Sequence, residues 1–73
     1  MAQYQQRFGD CDIRIDLQAE HGSHVARLFL VTPHGLLPLL DEQARPVVAR
    51  ATTAALAYVA AVQYLTERFG AAT

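Results

Sequence analysis

The sequence predicts an α+β domain: a three-stranded antiparallel β-meander followed by one long C-terminal helix packed on one sheet face, in the order β-β-β-α. Three observations carry this. Residues 11 to 19 alternate strictly between apolar and polar. A His-Gly pair separates that run from a second β-rich run, 24 to 32. Between Val48 and Phe69 the apolar residues recur at steps of three and four.

The first strand is the plainest. In "CDIRIDLQA", Ile13, Ile15, Leu17 and Ala19 point one way and Asp12, Arg14, Asp16 and Gln18 the other. A period of two is that of a half-buried strand. The run "HVARLFLVT" is apolar on both faces, so only register orients it. A two-residue hairpin loop at His21-Gly22 needs left-handed backbone, which Gly adopts freely and His tolerates. It sets Glu20 beside Ser23, Leu17 against Ala26, Asp16 against Arg27, Ile15 against Leu28 and Ile13 against Leu30. Apolar then meets apolar on one face and acid meets base on the other. A slip of one residue turns Arg27 into the core.

Thr32-Pro33-His34-Gly35 reads as the next turn, with Pro at its first corner and Gly35 closing it. "LLPLL" over 36 to 40 returns as the third strand, with Leu37 and Leu39 inward and Leu36, Pro38 and Leu40 outward. Pro38 has no N–H to give, which assigns this strand to an edge. The helix is expected over 44 to 69, with Pro46 in its first turn and Gly70 as its stop. Its stripe is Val48, Ala51, Ala55, Tyr58, Val62, Leu65 and Phe69, widened by Val47 and Val59. Leu56 and Tyr64 fall off that stripe. The expected organisation is one domain over 1 to 73: an N-terminal segment (1 to 10), the meander (11 to 40) and the helix (44 to 69).

Seventy-three residues make a thin core, and chains this small are commonly reinforced by disulfides, a metal or a second copy. Cys11 is the only cysteine, which excludes an internal disulfide. The net charge of −1 argues against a chain that lives on nucleic acid. No apolar run is long enough to span a membrane. The start "MAQYQQRFGD" has no apolar core of a signal peptide, which points to the cytoplasm. The bias to Arg and Ala, with no Lys, is that of GC-rich bacterial coding.

The chemistry-bearing residues do not assemble. His21 and His34 sit in turns at opposite ends of the middle strand, about 30 Å apart, whereas zinc–nitrogen bonds are about 2 Å. His21, His24 and Glu20 form at most a polar hairpin end, and Cys11, across from Thr32, lacks the cleft and third group a nucleophile needs. Asp12, Arg14, Asp16 and Arg27 form a mixed-sign ladder in which each acid has an Arg neighbour and stays ionised. No cofactor, metal or catalytic residue is expected.

What remains is a surface. The outer sheet face carries Val25, Phe29, Val31, Leu36, Pro38 and Leu40 beside Arg14 and Arg27. One helix covers one face only, and apolar patches on a monomer mark contact sites. The expected function is therefore a small protein-interaction module, most simply a homodimer, with Val25, Arg27, Phe29, Val31, Leu36, Leu40 and Arg14 as the interaction surface. The alternative is a nucleic-acid-binding module in which Arg14 and Arg27 flank Phe29 as a stacking platform; Asp12 and Asp16 in the same face oppose it. The patch would be hidden if the N-terminal segment, with Tyr4 and Phe8, folded back over it.

Overall fold

The computed structural model describes residues 2–72; Met1 and Thr73, the outermost residues of the expected domain, lie outside the described residues. The architecture is an antiparallel sheet with one C-terminal helix on one face, as the patterning predicts, but with more strands. In order they are β1 (Ala2–Phe8), β2 (Cys11–Glu20), β3 (Ser23–Thr32), β4 (Gly35–Pro38), β5 (Val48–Ala51) and α1 (Ala54–Phe69).

The first four strands form a meander in the order β1-β2-β3-β4, each joined to the next by a two-residue turn. The predicted β2–β3 register holds at every pair from Ile13–Leu30 to Glu20–Ser23. At its turn both His21 (φ 50°) and Gly22 (φ 78°) are left-handed, the backbone that matches strand twist in a two-residue hairpin. At the next turn the Thr32 hydroxyl donates to the Gly35 carbonyl at 2.7 Å and accepts from the His34 N–H at 3.2 Å.

Three expectations need correction. The expected N-terminal segment, 1 to 10, is within its described residues not apart from the meander: Ala2–Phe8 is a full strand, paired with β2 from Ala2–Leu17 to Phe8–Cys11. The helix does not start near residue 44. Ala44 is left-handed (φ 61°), Pro46 bridges to Leu40, and Val48–Ala51 is a strand on β3. The reason is hydrogen bonding. β4 covers only Phe29–Thr32 of β3, and β5 takes the remaining row, His24–Arg27. The helix begins instead after Thr53, whose side chain accepts from the Leu56 N–H at 3.1 Å.

The helix is also turned by a little less than one residue position from the expected stripe. Ala57, Ala61 and Leu65 are its buried line, with Ala54, Tyr58, Val62, Tyr64 and Phe69 packed at the sides, while Val59 and Ala55 face outward. Alanine at 57 and 61 lets the helix axis come close to the sheet, and the larger side chains fill the flanks. Beneath it lie Phe8, Ile13, Ile15, Leu17, Ala26, Leu28 and Leu39.

Between β4 and β5 the chain leaves the sheet and returns. Leu39 N–H donates to Leu28 O at 3.0 Å, and Val47 N–H donates to Leu39 O at 2.8 Å, closing the excursion at its neck. No helix among the described residues is long and apolar enough to cross a membrane.

Candidate interaction surface

The outer sheet face follows from register. Reading across β1, β2, β3 and the last column, the outward rows are Arg7, Asp12, Val31, Leu36; then Gln5, Arg14, Phe29, Pro38; then Gln3, Asp16, Arg27, Val48. Gln18, Val25 and Arg50 follow, and Glu20 with Ser23 ends the face. Among the described residues no element covers it. β1 lies alongside β2, and its aromatic residues belong to the other side: Phe8 is fully buried under the helix, and Tyr4 packs on Tyr58 in a tilted arrangement, ring centroids 5.0 Å apart. The N-terminal residues therefore do not fold back over the face.

Charge occupies one half of it. Arg7 meets Asp12 at 3.8 Å, Arg14 donates from Nε to Asp16 at 2.8 Å, and Arg27 pairs with Glu20. The expected Arg27–Asp16 neighbours are Cα partners, yet each takes a different ion partner. This rearrangement bears on a residue that the sequence placed outward as expected but whose burial it did not foresee. Val25 points outward but is fully buried. Glu20 and Arg27 stand on either side of the Gln18–Val25 row, so an ion pair joining them passes over Val25 and closes it from solvent. Val25 is therefore not part of the open contact surface, and Arg14 and Arg27 are committed to carboxylates within the chain.

The guanidinium of Arg27 holds the Glu20 carboxyl below the usual carboxylate range, chiefly by its hydrogen bond, with the charges of Arg27, Arg50 and His21 acting in the same direction. A carboxyl depressed in the folded state adds stability above its unfolded pKa and loses it as pH falls through the folded one. Glu20→Gln should accordingly lower Tm at neutral pH, and the gap from the native chain should close as pH is taken down through the carboxylate range. A gap that stays constant to the acid end would show that the Arg27 pairing is not its source.

The uncharged half is an apolar corner. Phe29 and Val31 of β3 stand beside Pro38 and Leu36 of β4, and Val48 extends the patch along β5. Phe29 and Val31 are half-buried by their neighbours, whereas Leu36 and Val48 are each 40% exposed. Leu40 is 41% exposed at the neck of the excursion, next to its bridge with Pro46.

The remaining polar clusters tie neighbouring parts of the fold together. Arg68 donates 2.7 Å hydrogen bonds to the Leu40 carbonyl and the Tyr64 hydroxyl and lies 5.1 Å from the Phe69 ring centroid, which ties the excursion to the helix end. Asp41 accepts from the N–H groups of Gln43 (2.8 Å) and Arg45 (3.0 Å), and these backbone bonds hold its carboxyl below the usual range. Nothing in the sequence signals the Arg68–Leu40 contact, because its partners are 28 residues apart. Cys11 is a half-buried free thiol packed beside the core. Among the described residues no three of His, Cys, Asp and Glu come together as a metal site. The chain matches no protein-family model, no curated protein and no solved structure.

Proposed function

We propose that this chain is a small protein-interaction module without catalytic machinery of its own, and that it self-associates through the apolar corner of its outer sheet face. The observation that carries this is the corner itself: Phe29, Val31, Leu36, Pro38 and Val48 are neighbouring, uncharged and, among the described residues, uncovered, on a sheet whose helix α1 lies on the opposite face. Burial of this patch against a second copy adds apolar area that so short a chain cannot supply internally, and it couples stability to concentration. Of the expected contact residues, the proposal retains Phe29, Val31, Leu36 and Leu40, each of which is at least partly exposed. No observation favours nucleic acid, since Arg14 and Arg27 are neutralised within the same face.

Light scattering across a tenfold concentration range tests this. The mass should rise from the 8.0 kDa of one chain to at least twice that value. Phe29→Asp and Leu36→Asp should each keep the native far-UV spectrum and raise the dissociation constant at least about tenfold, since a charge buried in an apolar contact costs more than 1.4 kcal/mol. Native-like association by both variants would remove the corner as the contact.

A further inference from the structure

The sheet has two edges, and the sequence treats them differently. The β4/β5 edge is broken into two strands of four residues, carries Pro38, and is interrupted by the excursion with Pro46 at its neck. These are devices that keep an edge from pairing with another chain. β1 has none of them. "AQYQQRF" contains no Pro, Gly, Lys or acid, and its one charge, Arg7, is held by Asp12. Its inner side is filled by β2, and Ala72 bridges only to Phe8 at its end. From Ala2 to Arg7 the outer row of backbone N–H and C=O groups has no strand partner among the described residues.

The surroundings state what a partner strand must look like. On the helix side the edge borders an apolar hollow lined by Tyr4, Leu17, Ala54, Ala55 and Tyr58, with Tyr4 itself 45% exposed. On the outer side it presents Gln3, Gln5 and the neutralised Arg7. A fitting strand therefore alternates aromatic or small side chains with uncharged polar ones. β1 has that alternation itself: Ala2, Tyr4 and Gln6 on one side, Gln3, Gln5 and Arg7 on the other. Antiparallel pairing of two such strands also sends the two Arg7 side chains to opposite ends, so no like charges face each other.

We infer that β1 is a second homotypic contact, in which two copies pair their β1 strands antiparallel about a two-fold axis near Gln5 and join their sheets into one. Such a contact is isologous, so taken by itself it ends at two copies; together with the corner contact it carries the assembly beyond two chains, closing as a tetramer where the two axes meet. It uses backbone groups at the sheet edge and is independent of the apolar corner.

The test is disulfide trapping in a Cys11→Ser background. Gln5→Cys should give a covalent dimer under mild oxidation at low micromolar protein, because residues facing each other across a two-fold ladder bring their Cα atoms within disulfide reach. Gln63→Cys, on the exposed side of the helix, is the collision control and should remain mostly monomeric. Gln5→Lys, which sets two cations against each other at the axis, should weaken association at least about tenfold without altering the fold. Trapping of Gln5→Cys no better than the control, or unchanged association of Gln5→Lys, would overturn the inference. Phe29→Asp should leave the trapping intact. Trapping that survives while Phe29→Asp and Leu36→Asp have no effect on mass would remove the corner contact and keep this one.

Discussion

Phe8→Ala should cost about 3–5 kcal/mol, the range for deleting a large aromatic from a packed interior. Phe8 is fully buried at the end of β1, opposite Cys11 and within the core under the helix. Small domains hold only about 5–15 kcal/mol in total, so the variant should sit near the edge of its own unfolding transition. Urea unfolding followed by circular dichroism measures this directly. A loss below about 1 kcal/mol, the scale of a surface substitution, would mean that residues 2 to 8 are an appendage after all.

Gly9→Ala should be the second severe change, for a different reason. Gly9 has φ +58°, and a Cβ there would stand 2.1 Å from the carbonyl oxygen of Phe69. The left-handed backbone alone costs a non-glycine residue about 1–2 kcal/mol. The overlap is with backbone, so it cannot be relieved by a side-chain rotation; the end of the helix has to move away from the β1–β2 turn. Gly22→Ala is the internal control, since Gly22 has φ +78° and nothing within 4 Å of its added Cβ. The expected result is a modest fall in Tm for Gly22→Ala and a several-fold larger one for Gly9→Ala. Equal losses would show that only backbone conformation matters and that the helix end is free to give way.

Both changes concern residues to which the sequence assigned no place in the sheet, and the cause is specific. The alternation of β1 is real, with Gln3, Gln5 and Arg7 outward, but its inward positions include Ala2 and Gln6, so the hydrophobic period is too weak to show. β5 was hidden by coincidence: Val48 and Ala51 fall in step with the helical residues that follow them, and only the open row His24–Arg27 on β3 explains why they are a strand. By contrast β2, its register with β3 and the left-handed His21-Gly22 turn were legible, because each rests on neighbours in sequence or on a pairing that one slip would ruin. The interaction surface divides in the same way. Phe29, Val31 and Leu36 could be placed outward from register alone. The burial of Val25 could not, because Arg27 pairs with Glu20, four residues further along β2 than its Cα partner Asp16.

The excursion between β4 and β5 has a consequence for how such a chain can change length. Its ends, Leu39 and Val47, are bonded to each other, and the strands on either side are bonded separately to β3. Residues added at its tip therefore do not shift the pairing of either strand. Their cost is that of enlarging an already closed loop, about 0.6 kcal/mol for each doubling of its length. The sheet edge that is closed to partners is thus also the part of the molecule most open to insertion.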